Sequence, residues 1–389
     1  MKERVKVLVV DDSALMRKLI PIILERDPDI EVIGTAMDGA FAIRKIAELH
    51  PDVVTLDLEM PRMDGIETLR MIMRNAPLPV IVFSSHSKEG AYATFKALAL
   101  GAIDFVAKPQ DAAAGHLDPV AFQLIEKIKI AKRAGGTKTV PKPQAEVVAP
   151  AKKRSRAALP PNRVIAIGIS TGGPNALQYL FSQIPGDFPA TFVVVQHMPE
   201  GFTEMFARRL DECCALSVQE AKSGDLLVAG RVLVCPGNRH IMVRRMPRGD
   251  MVVLSDGPAI NGHRPSADVL FHSVAQEFAL SSVGVLMTGM GEDGSEGLGA
   301  IKAAGGHTIV QSEETCIVPG MPRAAILKGY AGKVLPLDNL AAYLVSHFGA
   351  DHASPEKFDA QEKSNAQEKS DKADKTEKNE RTPVSTPRA

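Results

Sequence analysis

Tryptophan is absent from this chain of 389 residues, aromatic residues make up only 5% of it, and there are four cysteines. Two of the four, Cys213 and Cys214, are neighbours, so the set forms neither a disulfide framework nor a C-x-x-C metal pattern. They read as buried or incidental thiols. Net charge is also missing: 46 Lys and Arg balance 46 Asp and Glu. A chain built around nucleic acid would show a strong basic excess, so no nucleic-acid partner is expected. No apolar run approaches the roughly 18 residues of a membrane span, and direct membrane insertion is not expected. Met1-Lys2-Glu3-Arg4 runs straight into a strand-like segment without the apolar stretch of a secretory signal, so a cytoplasmic location is expected.

What is present is globular. Hydrophobic residues at 45% and charged residues at 24% suffice for more than one core. Residues 1–124 alternate apolar runs (Val5–Val10, Ile30–Gly34, Val53–Leu58, Val80–Ser84, Phe105–Ala107) with amphipathic stretches such as Ser13–Glu25 and Ile66–Arg74. Strict alternation predicts a parallel sheet with helices on both faces. A second alternation starts at Val164, with strand candidates Val164–Ile167, Thr191–Val195, Val232–Cys235, Val252–Leu254 and Val283–Met287. The expected architecture is therefore α/β: two doubly wound parallel-sheet domains over residues 1–124 and 162–349. A Pro- and Lys-rich linker over 125–161 joins them, starting as the end of the last helix of the first domain. Within residues 350–389, Asp359 to Glu380 carries Ala-Gln-Glu-Lys-Ser twice with alternating charge and no core residues, and this tail is expected to be disordered. The zero net charge is an average. Residues 1–124 hold 14 basic and 18 acidic side chains, residues 125–163 hold 11 and 2, and residues 164–349 hold 13 and 17.

In the first domain Asp11 and Asp12 follow the first strand, Asp57 ends the third and Lys108 follows the fifth. Strand ends of a doubly wound sheet meet in one crevice. Three carboxylates there repel unless a cation neutralises them, and an oxygen-rich site with room for water suits Mg²⁺. A metal, a carboxylate nucleophile and a lysine are the equipment for a transient aspartyl phosphate. The segments Val-Val-Asp11-Asp12-Ser, Leu-Asp57-Leu-Glu-Met-Pro-Arg-Met-Asp-Gly and Ala-Lys108-Pro resemble the response-regulator receiver family over about residues 3–124. The resemblance implies that Asp57 accepts the phosphoryl group, that Asp11, Asp12 and Asp57 hold Mg²⁺, and that Lys108 contacts the phosphate. It puts Ser84 and Phe105 at the two switch positions, where many receivers have Thr and Tyr.

In the second domain Gly168-Ile-Ser170-Thr-Gly172 lies between a strand and a helical stretch. A serine at such a turn is exposed beside backbone N–H groups, but Gly-rich turns also cradle phosphates, so the motif alone leaves nucleophile and phosphate loop open. No Gly-Lys-Ser/Thr follows, which excludes a Walker A loop. His197 ends the next strand and Asp293 follows Val283–Met287, placing serine, imidazole and carboxylate all at strand C-termini. Imidazole is the base a serine hydroxyl needs, and a carboxylate orients it. The order Ser, His, Asp differs from the Ser, Asp/Glu, His of α/β-hydrolases, so that fold is not expected.

Ile-Gly-Ile-Ser170-Thr-Gly-Gly-Pro, Val-Gln-His197-Met-Pro, Cys-Pro-Gly-Asn-Arg-His240, His263-Arg-Pro-Ser-Ala-Asp-Val-Leu-Phe271 and Met-Thr-Gly-Met-Gly-Glu-Asp293-Gly resemble the catalytic domain of the chemotaxis protein-glutamate methylesterases. The resemblance implies Ser170 as nucleophile, His197 as general acid/base, Asp293 as orienting acid and the Met290 N–H as an oxyanion donor. It further implies a phosphorylation-activated esterase without a cofactor of its own. Its substrates would be glutamate γ-methyl esters, and glutamine for deamidation, on methyl-accepting chemoreceptors, with a chemotaxis histidine kinase as phosphodonor. Thr171 and Arg264 are candidates for substrate contact; His240 and His263 are open between groove and turn. Ser266 reads as a helix start with Asp268 in the first turn. The rival reading is a non-catalytic response regulator acting through DNA or a partner; strands throughout the second half and the lack of a short helix–turn–helix unit speak against DNA.

Overall fold

The computed structural model describes residues 4–109, 117–135 and 159–349. The expected disordered tail and most of the expected linker lie outside them. The first unit of structure is β1 (Val5–Val10), α1 (Ala14–Leu24), β2 (Ile30–Ala36), α2 (Gly39–Leu49), β3 (Val53–Asp57), α3 (Gly65–Asn75), β4 (Val80–Ser84), α4 (Lys88–Leu100), β5 (Asp104–Ala107) and α5 (Leu117–Ala134). Its sheet has the order β2-β1-β3-β4-β5, with all pairs parallel. Side-chain caps start its helices. Asp38, Asp64 and Ser87 accept the N–H of Phe41, Glu67 and Gly90 at 2.7–2.9 Å, satisfying donors that a helix leaves unpaired.

Helix α5 continues past residue 124, where the composition turns basic. Its Lys127, Lys129 and Lys132 pair with Asp104, with Asp27 and Asp29, and with Asp52. Three of the eleven basic side chains of that stretch are thus spent inside the first domain.

The second unit contains β6 (Val164–Ile169), α6 (Gly173–Phe181), β7 (Thr191–Gln196), α7 (Phe202–Cys213), β8 (Ser217–Glu220), β9 (Arg231–Val234), β10 (His240–Arg244) and β11 (Met251–Ser255). It continues with α8 (Ala267–Phe278), β12 (Ser282–Leu286), α9 (Ser295–Ala303), β13 (His307–Gln311), α10 (Gly320–Leu327), β14 (Lys333–Leu335) and α11 (Leu337–Phe348). Seven parallel strands are ordered β14-β13-β12-β6-β7-β9-β8. The expected run Val252–Leu254 is not in this sheet. It belongs to β11, which pairs antiparallel with β10. Strands β8, β10, β13 and β14 are additional to the sequence expectation; β8, Ser217-Val-Gln-Glu220, carries no apolar run at all.

Both sheets reverse their winding direction at one place, between β1 and β3 and between β6 and β12, which opens a crevice at the strand C-termini. Near-continuous apolar strands fit sheets covered on both faces: every residue of β6 and of β7 is buried. Phe271 of α8 is fully buried and packs behind β6, where Gly168 leaves room for its ring. No helix among the described residues is long and apolar enough to cross a membrane. Phe271→Ala should cost about 3–5 kcal/mol, as buried aromatic truncations do, and lower the urea midpoint of the second domain's unfolding; an unchanged midpoint would place the core elsewhere.

Candidate functional site

In the second domain the crevice collects the ends of three neighbouring strands, β7-β6-β12. Ser170 follows β6 directly, and its N–H donates to Thr288 O at 2.9 Å in the loop after β12. That loop lies against the serine: a methyl group on Gly289 would sit 2.8 Å from Ser170 Cβ. His197 follows β7, with its N–H bonded to Ile169 O at 3.0 Å. Gly172, left-handed at φ +79°, forms the N-cap of α6 without any side-chain cap. At the start of α6 the Gly173 N–H is spent on Ser170 O at 2.8 Å and Pro174 has no N–H, so the turn folds back on the serine's own carbonyl.

His197 Nε2 and Asp293 Oδ2 are 2.7 Å apart. Asp293 is 1% exposed, and its carboxylate sits at the N-terminus of α8. It accepts Ser266 Oγ (2.6 Å), Ala267 N–H (2.7 Å) and Asp268 N–H (3.2 Å). Burial alone would raise its pKa. The hydrogen bond and charge of His197, with the donations from Ser266 and Ala267, instead hold it well below the usual carboxylate range. An ionised Asp293 accepts only, so His197 Nε2 carries a proton, and in the neutral ring Nδ1 is the nitrogen with the lone pair. That Nδ1 is buried and has no hydrogen-bond partner among the described residues. Serine, histidine and aspartate are thus brought to one crevice, with the His–Asp bond made and the Ser–His bond unmade. Such bonds commonly tighten only with substrate. The Met290 N–H has no hydrogen-bond partner among the described residues and directly follows Gly289, whose missing side chain leaves room for Ser170.

The remaining polar residues divide clearly. The ring of His263 stacks on that of His197, with centroids 4.1 Å apart and planes 7° off parallel. Burial, then the neighbouring His197, lowers its pKa to about 4, so it stays neutral. His240 is buried; its Nδ1 accepts the Ser266 N–H (3.2 Å) and its Nε2 lies 3.0 Å from Pro258 O, a structural brace. Arg264 donates to Asn238 Oδ1 and to the carbonyls of Asp256 and Gly257, fastening a loop. Thr171 is 4% exposed, and its carbonyl accepts Thr288 Oγ1 at 3.0 Å. Ser266 does precede α8, but its hydroxyl serves Asp293 instead of capping its own helix.

In the first domain Asp11, Asp12 and Asp57 each offer a carboxylate oxygen within 4.8 Å of the others. Lys108 Nζ lies 2.7 Å from Asp57 Oδ2 and 3.2 Å from Asp11 Oδ2. Burial pushes the Asp57 carboxyl up from 3.8 to about 6 despite Lys108. Burial raises Asp11 in the same way. Clustered, partly buried carboxylates held above their ordinary range fit a hard divalent cation, which would relieve them. Ser84 Oγ points to α4: it accepts from Thr94 Oγ1 at 2.7 Å and donates to Gly90 O at 3.2 Å. The Phe105 ring is buried 4.7 Å from that of Phe202, the first residue of α7. Helix α4 packs on both α6 and α7, and Asn175 Nδ2 of α6 donates to Leu98 O of α4 at 2.9 Å.

The family model of the CheB methylesterase matches residues 165–344, and that of the response regulator receiver domain matches residues 7–116. A protein-glutamate methylesterase/protein-glutamine glutaminase 2 of Koribacter versatilis is 58% identical over 359 residues, covering 90% of this chain and 98% of its own length. A protein-glutamate methylesterase/protein-glutamine glutaminase of Symbiobacterium thermophilum is 46% identical, covering 87% of this chain and 95% of itself. One of Anaeromyxobacter dehalogenans is 48% identical, with 86% and 94% covered. The chain therefore belongs to the CheB methylesterase family, with a response-regulator receiver domain ahead of the esterase domain.

Proposed function

We propose that the chain is a phosphorylation-activated serine esterase that hydrolyses glutamate γ-methyl esters, and deamidates glutamine, on chemoreceptors in the cytoplasm. The observation that carries this reading is the His197–Asp293 bond at 2.7 Å, with Nδ1 buried and without a hydrogen-bond partner among the described residues. Ser170 Oγ adds to the ester carbonyl carbon while its proton passes to His197 Nδ1. The resulting oxyanion would be held by the Met290 N–H. Collapse returns that proton to the departing methoxide, leaving methanol and a glutamyl-serine ester. Water then adds to the ester, giving its proton to Nδ1, and Ser170 leaves as the hydroxyl with that proton. A glutamine amide takes the same course and releases ammonia. Asp293 orients the ring and stabilises the imidazolium.

Regulation follows from the contacts of the receiver. Its α4 and Phe105 dock on α6 and α7, the helices that begin beside Ser170 and His197. This supports a receiver that restrains the cleft until Asp57 is phosphorylated by a histidine kinase. Asp11, Asp12 and Asp57 would hold Mg²⁺, which supplies charge neutralisation for phosphoryl transfer. Lys108 would pair with the added phosphoryl group, and Ser84 would turn toward it. Ser84 cannot do so without leaving Thr94 and Gly90 of α4, which loosens the docked helix.

Ser170→Ala should abolish methanol release from methylated receptor while Asp57 phosphorylation stays intact; retained release would refute the assignment. Asn175→Ala removes one interdomain hydrogen bond, worth about 1 kcal/mol. It should raise the rate without phosphodonor by up to about fivefold, and no rise would argue against restraint at this contact. In chelator, the raised Asp57 pKa means that the folded state holds this proton more tightly than the unfolded chain. Its contribution to stability is complete below 3.8 and is lost as pH rises through about 6. Thermal melts should show the receiver weakening across that window. Mg²⁺ at pH 7 should restore the melting temperature in the parent but not in Asp57→Asn.

A further inference from the structure

The carboxamide of Gln196 has no part in the chemistry above, yet it joins the two turns that carry it. Gln196 is the last residue of β7 and is 2% exposed. Its Nε2 donates to Ser170 O at 3.0 Å and to His197 O at 3.1 Å, so both amide hydrogens are used. Its Oε1 is buried and has no hydrogen-bond partner among the described residues. The reverse orientation would aim that oxygen at two carbonyl oxygens, so the donors decide the orientation. An apolar side chain would fill the same space without an orphaned oxygen, which marks the two donations as the reason for the residue.

Position matters as much as partners. The β6–β7 ladder ends at the pair Ile169 and Gln196, and the last backbone bond there is His197 N–H to Ile169 O. Ser170 and His197 are the first residues beyond it, where the two chains diverge into α6 and α7. The carboxamide also has a wall behind it: a Cβ on Gly173 would lie 2.0 Å from Gln196 Oε1. The side chain is wedged between the first residue of α6 and the two carbonyls.

We propose that Gln196 is a positioning residue for the esterase reaction, a carboxamide staple that holds the Ser170 and His197 turns at the spacing proton transfer requires. This rests on the roles proposed for Ser170 and His197. Two substitutions attack the staple from opposite sides. Gln196→Met keeps the length and removes both donors; Gly173→Ala keeps the donors and displaces the oxygen. In the full-length, phosphorylated protein each should lower kcat for methanol release at least tenfold, with KM changed less than twofold. Labelling of Ser170 by a serine-directed phosphonate should slow in parallel, while Asp57 phosphorylation remains at the parent level. If Gln196→Met fails to melt cooperatively, Gly173→Ala decides on the same readouts. A kcat within twofold of the parent, or a raised KM at constant kcat, overturns the staple. The parent and Ser170→Ala run alongside: a parent that releases no methanol refutes the esterase reading, whereas an active parent with unaffected variants refutes the staple alone.

Discussion

An ionised carboxylate that is 1% exposed must be compensated where it stands, and Asp293 imposes that demand on everything around it. The compensation comes from the N-terminus of α8, whose first N–H groups and Ser266 hydroxyl converge on the carboxylate. This is the favourable end of the helix dipole for an anion. The arrangement is reciprocal. Asp268, in the first turn of α8, accepts the N–H of Gly297 in α9 at 2.7 Å, while Asp293, just before α9, serves α8. Each helix start is completed by a carboxylate from the other. That exchange needs α8 and α9 side by side with their N-termini level, and hence β6 beside β12.

The two domains put carboxylates at strand ends and solve the electrostatics in opposite ways. In the esterase domain, helix N–H groups and an imidazole stabilise Asp293 in its charged form. In the receiver, burial dominates, and Lys108 recovers only part of the cost for Asp57. The first arrangement suits a group that keeps its charge through a reaction cycle. The second leaves strain that a cation or a covalent modification can discharge. Lys108 shows the same balance from the other side: burial disfavours its charge, but its bonds to Asp57 and Asp11 prevail and raise its pKa.

The link between these sites is short. Ser84 is bonded to α4, α4 packs on α6 and α7, and Phe105 meets Phe202 at the start of α7. Four residues lie between His197 and Phe202 in the chain. The path from the ends of β4 and β5 to the histidine turn thus runs through a buried hydroxyl, the packed face of α4 and two buried rings.

The sequence alone determined what is local. Runs of β-branched residues specified both sets of main strands, glycine clusters marked the turns, and the motif residues Asp11, Asp57, Lys108, Ser170, His197 and Asp293 stood at strand ends because their spacing from those runs allowed nothing else. Tertiary structure decided what depends on partners far along the chain. Strand order placed β6 between β7 and β12; the run at Val252 became half of a hairpin because it pairs with β10, not with the sheet. Ser266 has the spacing of a cap, but its hydroxyl turns to a carboxylate 27 residues away. Gln196 and His263 look like an ordinary strand end and a loop residue until β6, β7 and the 256–265 loop come together. The physical reason is that periodicity encodes which face of an element is buried, whereas a hydrogen bond or ring stack between elements exists only once packing has supplied both partners.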